Sequence, residues 1–364
     1  MTSKRRKSTL KPALDTDTAF SQRLMHWFDR ARRDLPWRRT RDPWAIWVSE
    51  VMLQQTRVEA VRAAFERFVA RYPTPESFAN ASDDALMLAW KGLGYYRRAR
   101  LLRDGARVVV RDHRGAVPQD ADKLAELPGV GAYTRAAVAS IAFDLRIAAV
   151  DGNVERVLAR HLALRDDVDA AVGKRAIRAA ADERLDHDRP GDHNQAMMEL
   201  GATVCTPQSP RCDQCPLAAD CRGLAQGIVM TLPRKKPPRA PTLVKARVAV
   251  VRQAGGVLAL RIPDGEPNAG QWELPGPGAL VSVEENEFSA RTRSRCRAGI
   301  EVGPVLAEVR HAITHHKITV VAHAGALRSR NAGSLRAQEP TDPDVPWTTI
   351  SRKVFAAMHE SESD

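Results

Sequence analysis

The sequence contains few cysteines, no long apolar run and no internal repeat. Only five of its 364 residues are cysteine. No stretch approaches the roughly 20 consecutive apolar residues that a helix needs to cross a bilayer, so we expect no membrane span. The N-terminus, MTSKRRKSTLKP, lacks the apolar core of a secretory signal. We therefore expect the protein to stay in the reducing cytoplasm, where disulfides are rare.

Positive charge is in excess along the chain. Lys and Arg number 56 against 44 Asp and Glu, which gives a formal net charge of +12 and a pI near 9.9. A polyanion is the natural partner of such a chain, and nucleic acid is the commonest polyanion. An Arg-rich proteome from a GC-rich genome would show the same excess, so charge alone leaves both interpretations open.

Changes in residue composition along the chain predict two domains and a tail. Residues 1–18 are typical of a disordered basic tail, and residues 19–227 predict a mainly helical domain. Within that domain one set of apolar residues recurs at helical spacing and predicts a single buried stripe: Val51, Val58, Val61, Phe65 and Phe68. Residues 228–243, with TLPRKKPPRAPT, predict a linker. Residues 244–358 contain β-rich runs and predict an α/β domain.

Four of the five cysteines lie close together, in CTPQSPRCDQCPLAADC. Cys205, Cys212, Cys215 and Cys221 have the spacing C-x6-C-x2-C-x5-C. Clustered cytosolic thiols bind metal more often than they form disulfides. Four thiolates can hold Zn²⁺ or an iron–sulfur cluster, and zinc ribbons more commonly use two separated C-x2-C pairs. Cys296 is distant in sequence from this cluster, and we expect it to be a buried or idle thiol.

A glycine-rich turn is predicted between two helices in KLAELPGVGAYTRAAVASIAF. Gly129 and Gly131 permit a close approach to a ligand, and the free N–H groups of the second helix can hold a phosphate. A plain αα-turn would look the same. Further along, Asp151 precedes Gly152, Asn153 and a helical run, which is the pattern of a helix N-cap.

Taken together, these features resemble the endonuclease III superfamily of base-excision DNA glycosylases. The resemblance implies a [4Fe–4S] cluster on the four clustered cysteines, a helix-hairpin-helix at the glycine-rich turn, and a catalytic role for Asp151. Lyase members carry a Lys in the second helix, which attacks the sugar and forms a Schiff base. The matching residue here is Tyr133, which cannot form that imine. The resemblance therefore implies hydrolysis by water without strong strand cleavage.

Three longer stretches narrow the resemblance to the MutY family of adenine DNA glycosylases. These are LPWRRTRDPWAIWVSEVMLQQTRVEAV, GLGYYRRAR and NQAMMELGATVCT. Removal of adenine needs an acid near the base and a carboxylate near the developing oxocarbenium sugar. The resemblance implies that Glu50 is the general acid/base and that Asp151 stabilises or captures the cation. Outside this motif, Glu50 would be interpreted as an exposed helix residue.

The same resemblance implies the remaining site residues. Tyr133 and Asn153 hold the carboxylates and water. An extruded base needs an apolar slot with a few polar contacts, and the implied adenine pocket consists of Arg33, Leu35, Trp37, Arg38 and Gln195. The implied DNA contacts in this domain are Gln55 and Tyr95, which enter the stack, together with Gly129 and Gly131. Trp37 also fits a simple core aromatic.

Family members carry a C-terminal domain related to Nudix hydrolases, which senses 8-oxoguanine opposite the adenine. Here WELPG resembles the start of a Nudix box, but the positions that would hold Mg²⁺ fall on Arg293, Cys296 and Arg297. Hard cations need oxygen ligands, so we expect no metal and no nucleotide hydrolysis there. In VRHAITHHKIT, Thr314 and His315 match the family's lesion-reading hairpin, with Ile in place of its aromatic residue. Surface histidines on a strand fit the same pattern.

The predicted fold class is a mainly α, two-lobed helix-hairpin-helix glycosylase domain with an iron–sulfur loop, followed by an α/β Nudix-like domain. The predicted function is monofunctional excision of adenine opposite 8-oxoguanine or guanine in duplex DNA, by a monomer at the nucleoid. A thymine or uracil mismatch glycosylase of the same superfamily is the alternative, which Glu50 disfavours. A non-catalytic DNA-binding or redox-sensing iron–sulfur protein is disfavoured by the presence of both Glu50 and Asp151.

Overall fold

The computed structural model describes residues 16–237, 240–266 and 268–362. Residues 1–15 of the predicted tail lie outside the described residues, and the first helix begins at Thr16. The chain divides into two units. The helical unit comprises the described residues up to Ala79 together with Leu101–Lys236. The sheet unit comprises Asn80–Arg100 and the described residues from Pro237 onward, so the division falls inside the predicted linker.

Helices account for most of the first two thirds of the chain. They are α1 (Thr16–Ala31), α2 (Pro43–Leu53), α3 (Val58–Arg71), α4 (Pro75–Ala79), α5 (Asp83–Ala89), α6 (Arg97–Asp112), α7 (Ala121–Glu126), α8 (Ala132–Phe143), α9 (Gly152–His161), α10 (Ala171–Glu183), α11 (Pro190–Thr203) and α12 (Arg222–Ala225). Short 3-10 helices cover Pro36–Arg38, Cys212–Gln214, Ala218–Asp220 and Val229–Thr231. No described helix is long and apolar enough to span a membrane.

The core of the helical unit joins α1, α9, α10 and α11. Its largest buried side chains include Phe20, Leu24, Phe28, Leu158, Ile177 and Leu200. Burial of such side chains stabilises by roughly 1.5–3 kcal/mol each before the entropy of ordering is subtracted. Two glycines on α11 let the neighbouring backbones approach closely. A Cβ on Gly191 would lie 2.5 Å from the Ser140 carbonyl oxygen, and one on Gly201 would lie 2.5 Å from the Asn153 Cβ.

The single stripe predicted from Val51 to Phe68 is wrong, because two helices share it. α2 ends at Leu53 and α3 begins at Val58. Gln55 in the gap has φ +55°, a left-handed conformation that a right-handed helix does not contain. Positions 51 and 58 are about two helical turns apart, so the apolar spacing continues across the break.

Six strands and two helices make up the described part of the sheet unit that follows Pro237. They are β1 (Thr242–Gln253), β2 (Gly256–Arg261), β3 (Trp272–Glu273), α13 (Glu285–Cys296), β4 (Ile300–Ile313), β5 (His316–Leu327), β6 (Leu335–Gln338) and α14 (Thr349–Glu362). The sheet order is β3-β2-β1-β5-β4, with β6 paired to β2. β1 and β5 are parallel, whereas β4 and β5 form an antiparallel hairpin with Thr314 and His315 at its tip.

Both faces of this sheet are covered, because residues of β1 that point to opposite faces pack into two different hydrophobic cores. Ala246 and Val250 face a core that α14 completes with Val354 and Phe355. Ala249 and Val251 face the opposite core, which contains Phe288 and Cys296 of α13. Successive strand residues point to opposite faces, so a strand buried on both sides reads as continuously apolar. The predicted α/β class of this domain is confirmed.

Asn80–Arg100, which the sequence predicted in the helical domain, groups with the sheet unit. Three polar contacts join it to later parts of that unit. The Lys91 Nζ donates to the Pro343 carbonyl oxygen at 2.8 Å, Arg261 pairs with Asp84 at 2.5 Å, and the Arg100 guanidinium donates to the Ala269 carbonyl oxygen. The contact partners are distant in sequence, so no local pattern carries this grouping.

Gly201→Ala should destabilise the helical unit, because the new Cβ would meet the Asn153 Cβ at 2.5 Å. Overpacking of this kind typically costs about 1–3 kcal/mol. Urea unfolding measures the change. Gly152→Ala is the matched control, since a Cβ there meets nothing within 4 Å. Equal stability of the two variants would contradict the close contact between α9 and α11.

Candidate active site

A cavity of about 630 Å³ lies in the helical unit. Glu50 of α2 and Asp151, which precedes α9, both line it. The cavity is also lined by the five predicted pocket residues and by three further predicted site residues: Arg33, Leu35, Trp37, Arg38 and Gln195, with Gln55, Tyr133 and Asn153. The fold thus brings together residues from four separate stretches of the sequence.

Glu50 is buried in the wall of this cavity, with 5% of its surface exposed. Asp42 caps the helix that carries it, accepting from the Trp44 and Ala45 amides. Burial raises the pKa of Glu50 to about 7, opposed by a hydrogen bond from Tyr133 and by Arg38 and assisted by Asp151. A carboxyl with this pKa holds its proton for about half the time at neutral pH, so it can act as an acid and then as a base.

Tyr133 orients the Glu50 carboxyl. Its Oη donates to Glu50 Oε2 at 2.6 Å and lies 3.1 Å from the Met198 Sδ. Burial and the neighbouring carboxylates raise the pKa of Tyr133 well above its ordinary value, so the phenol stays a donor. Tyr133 is the second residue of α8, and Gly131 directly precedes that helix.

Asp151 is the N-cap of α9, as the local pattern predicts, and it lines the cavity as well. Its Oδ1 accepts from the Asn153 and Val154 amides at 2.9 and 2.8 Å. Its Oδ2 accepts from the Asn153 Nδ2 at 2.7 Å. Three donors therefore fix the orientation of this carboxylate.

Glu199 is a site residue that the sequence reasoning missed. It is 1% exposed and accepts four hydrogen bonds from Arg33 and Arg38. Burial by itself raises the pKa of Glu199, but the two guanidinium groups outweigh it and lower that pKa to about 2. One signal was available: Glu199 lies four residues after Gln195, on the same face of a helix.

Trp37 is both a core residue and a pocket residue. It is 7% exposed and packs edge-to-face on Phe65, with 5.7 Å between ring centroids. Leu35 beside it is 2% exposed. Aromatic packing of this kind adds about 0.5–1.5 kcal/mol to the burial of the ring. The apolar wall of the cavity is therefore rigid before any ligand binds.

The glycine-rich turn joins α7 to α8, as predicted. Gly129 has φ +78°, and a Cβ there would lie 2.8 Å from the Leu101 Cβ. Gly131 has open space around it, and no side chain caps the first turn of α8. Unsatisfied N–H groups at a helix start attract anions. The turn therefore has the geometry of a phosphate-binding hairpin.

The four clustered cysteines surround a small cavity and form no disulfide. Arg160 fastens the loop: its guanidinium donates to the Thr206 and Pro207 carbonyl oxygens at 2.7 and 3.0 Å and lies 3.4 Å from the Cys205 Sγ. Burial raises the pKa of Cys215 to about 12, so a bound metal must displace its proton.

This donor set fits an iron–sulfur cluster. Within the described residues, no three His, Cys, Asp or Glu side chains converge closely enough to hold one single metal ion. In a [4Fe–4S] cubane each thiolate binds a different iron atom, so the four sulfurs do not converge on one point. The Arg160 guanidinium beside Cys205 adds positive charge next to a thiolate.

A chain of hydrogen bonds runs from the cysteine loop to Asp151. The Arg156 Nε donates to the Cys205 carbonyl oxygen at 2.8 Å, and its Nη2 donates to the Asn153 Oδ1 at 2.8 Å. Asn153 in turn donates to Asp151. The Arg156 Nη2 also donates to the Gly201 carbonyl oxygen at 2.9 Å. The loop and the carboxylate therefore share one polar network.

Three predicted DNA contacts belong to the sheet unit. Tyr95 is 46% exposed with φ +47°, and the Arg98 guanidinium lies 5.5 Å from its ring centroid. Thr314 and His315 are both exposed at the β4–β5 tip, and Thr314 has φ +53°. A positive φ at a two-residue hairpin loop is the usual geometry for such a turn.

Comparison with known proteins identifies the family of the chain. Residues 48–181 match the HhH-GPD superfamily of base excision DNA repair proteins, and residues 205–221 match the iron–sulfur binding domain of endonuclease III. The adenine DNA glycosylase of Rattus norvegicus is 36% identical over 94% of this chain and 78% of that protein. The chain belongs to the adenine DNA glycosylase family. It is a DNA-binding hydrolase of base excision repair, and its cofactor is a [4Fe–4S] cluster.

Solved structures confirm the fold of the helical region. A thermostable thymine-DNA glycosylase is similar with a TM-score of 0.54 and 29% identity, covering 58% of this chain and 97% of that one. An endonuclease III–DNA covalent intermediate is similar with a TM-score of 0.50 and 27% identity, covering 57% of this chain and 95% of that one. The fold is therefore shared among adenine DNA glycosylases and relatives that act on other bases.

Glu50→Gln should stabilise the protein at alkaline pH. The folded-state pKa of Glu50 is raised, so wild-type stability is fully present below the unfolded pKa near 4.5 and is lost as pH rises through about 7. The difference in free energy of unfolding between the variant and the wild type should therefore be about 3 kcal/mol more favourable to the variant above that pH than in acid. Urea unfolding of both proteins, at acidic and at alkaline pH, measures this difference. Glu59→Gln, on the exposed face of α3, is the control, and equal pH dependence of the two variants would contradict the burial cost.

Proposed function

We propose that this enzyme excises adenine paired with 8-oxoguanine or guanine in duplex DNA, that it acts as a monomer, and that it hydrolyses the glycosidic bond without cleaving the strand. One observation carries the proposal: the buried Glu50 carboxyl, with a pKa near 7, lines the same cavity as Asp151. This is the pair that adenine removal requires. The DNA substrate would place the enzyme at the nucleoid, in the cytoplasm.

Glu50 acts first as the acid. Its proton passes to a ring nitrogen of the extruded adenine, so the electrons of the breaking glycosidic bond are accepted by the base. Arg33, Leu35, Trp37, Arg38 and Gln195 supply an apolar slot with polar contacts for that base. Glu50, once deprotonated, takes a proton from the attacking water. The hydrogen bond from Tyr133 supports the carboxylate at that stage.

Asp151 acts on the sugar. Loss of the base leaves positive charge on the sugar ring, and a carboxylate held by three donors stabilises that charge without having to reorient. Asn153 donates to both of its oxygens, through its backbone amide and through its side-chain Nδ2. Tyr133 occupies the position at which lyase relatives carry the imine-forming Lys, so the intermediate is resolved by water.

Cys205, Cys212, Cys215 and Cys221 are the proposed ligands of the cluster. When bound, the cluster supplies a covalent cross-link across a loop that has little core of its own. Arg156 and Arg160 tie that loop to α9. The role proposed for this region is structural and directed toward DNA phosphates, which the N–H groups at Gly129 and Gly131 also contact. Gln55 and Tyr95 are the proposed wedge residues.

The sheet unit is the proposed Nudix-like reader of 8-oxoguanine. Thr314 and His315 are exposed at a hairpin tip, where a hydroxyl and an imidazole can reach a base. We expect no Nudix metal in this unit, because the ligand positions of the box fall on Arg293, Cys296 and Arg297. Arg295 pairs with the buried Glu273, and with Glu266 at 2.6 Å, so both of these carboxylates already form ion pairs with a guanidinium group.

Single-turnover cleavage of a duplex with adenine opposite 8-oxoguanine tests the function. Strand breaks at the adenine should require added alkali, and Glu50→Gln should lose at least about a thousandfold in rate because the acid is gone. The rate should fall as pH rises above about 7, where Glu50 is ionised.

A T·G duplex is the matched control substrate for this assay. Cleavage of the T·G duplex alone would overturn the proposed adenine specificity and assign the enzyme to the thymine mismatch glycosylases of the superfamily. Strand breaks without alkali would contradict the proposed hydrolysis by water. No cleavage of either duplex by intact, DNA-binding protein would leave the chain non-catalytic.

Replacing the hairpin tip should lower lesion preference more than basal activity. Thr314→Val with His315→Ala removes the polar groups that would contact 8-oxoguanine, so we expect about a tenfold loss of selectivity over guanine. Competition between A·8-oxoguanine and A·G duplexes measures it. The exposed pair Ser329→Ala and Arg330→Ala is the control. Unchanged selectivity in the tip variant would place lesion reading elsewhere.

A further inference from the structure

The buried carboxylate of Glu199 has no part in the reaction described above. It lies on α11, lines the active cavity and is 1% exposed. Each of its oxygens accepts two hydrogen bonds: Oε1 from the Arg33 backbone N–H and Nε at 3.0 and 2.8 Å, and Oε2 from the Nη2 groups of Arg33 and Arg38 at 2.7 and 2.8 Å. Arg33 therefore grips Glu199 in a bidentate fork.

These contacts fix where the two guanidinium groups lie. Arg38 also donates from its Nη1 to the Arg33 carbonyl oxygen at 3.1 Å, and its guanidinium lies 5.4 Å from the Phe28 ring centroid. Arg38 is the last residue of the 3-10 turn that carries Trp37, and Arg33 lies three residues before that turn. Long flexible side chains lose much rotamer freedom when held in this way, so the carboxylate pre-orders one wall of the cavity.

The ion pairs of Glu199 with Arg33 and Arg38 also set the charge beside Glu50. The groups that face Glu50 are Tyr133 on α8, Asp151 before α9 and Arg38 on the 3-10 helix, whereas α11 brings the neutral Met198 close to Tyr133. Arg38 favours the ionised form of Glu50. Glu199 carries the opposite charge 2.8 Å from the Arg38 guanidinium, so it weakens that effect.

We propose that Glu199 is a positioning residue: it holds Arg33 and Arg38 in the wall of the adenine cavity and offsets their charge, so that Glu50 keeps its proton. The proposal rests on the proposed function, since it needs Glu50 to act as the acid. It explains why a pocket for a neutral base can contain two arginines. Without Glu199, the positive charge of Arg38 would favour the ionised form of Glu50 and so oppose the protonation that adenine excision requires.

The test is the pH profile of single-turnover adenine excision, recorded from about pH 5.5 to about 9.5 for the holoenzyme. Glu199→Gln keeps the shape of the side chain and removes its charge. The alkaline limb of its pH–rate profile should move to lower pH. At a pH above neutrality, each pH unit of this displacement should lower the rate about tenfold relative to the wild type. Glu199→Asp keeps the charge, so its limb should stay in place while a shorter reach lowers the rate.

Two further variants separate charge from folding, because loss of one partner of a buried ion pair is strongly destabilising. Arg38→Met leaves Glu199 paired with Arg33 and removes a cation near Glu50, so its limb should move to higher pH. Asp186→Asn, a carboxylate outside the cavity that accepts from Ser21, should leave the limb unmoved whatever its stability. Thermal melting and cluster absorbance verify that each variant is folded and loaded.

The outcomes are distinguishable. A Glu199→Gln limb at the wild-type position, with an even rate loss at every pH, would assign a structural role alone and overturn the proposal. An unmoved limb in Arg38→Met would do the same, even if Glu199→Gln fails to fold. A wild-type enzyme that excises no adenine would instead overturn the proposed function.

Discussion

The constraint on which the active site depends is the removal of Glu50 from water. The proposed general acid must hold its proton at neutral pH, which requires a carboxyl whose charged form is disfavoured, and burial disfavours the charged form of Glu50. Burial alone would leave polar atoms unpaired, so Tyr133 occupies one oxygen through a short hydrogen bond. The same burial makes the ionised enzyme less stable than it would be without Glu50. Function and stability therefore oppose each other at this residue.

Three buried or half-buried carboxylates in one cavity have three different environments. Glu50 has one neutral donor, Asp151 has two backbone amides and one side-chain amide, and Glu199 has two guanidinium groups. The pKa of Glu50 is raised and that of Glu199 is lowered, although both are almost fully buried. Partner charge, rather than depth of burial, decides between them. Divergent pKa values within one site are what acid–base catalysis requires.

Local sequence patterns predict three structural features correctly. Asp151 caps α9, the four clustered cysteines surround one small cavity, and the glycine-rich turn joins α7 to α8. For Glu199 the only local signal is its spacing from Gln195, and its arginine partners are brought to it only where α11 meets the segment after α1. The break at Gln55 was hidden by apolar spacing that continued across it. The grouping of Asn80–Arg100 with the sheet unit depends on partners far along the chain.

The polar network around α9 explains why an iron–sulfur loop belongs in a hydrolase. Asp151 caps this helix, and Arg156 reaches from it to the Cys205 carbonyl oxygen while also holding Asn153. The role proposed for Asp151, stabilising a sugar cation, is best served when the donors to its carboxylate cannot move. A loop of largely irregular structure cannot supply that rigidity by packing alone, since its backbone carbonyls need partners. A cluster bound by the four cysteines would cross-link the loop and hold those carbonyls in place, and Arg156 would pass that restraint through Asn153 to Asp151.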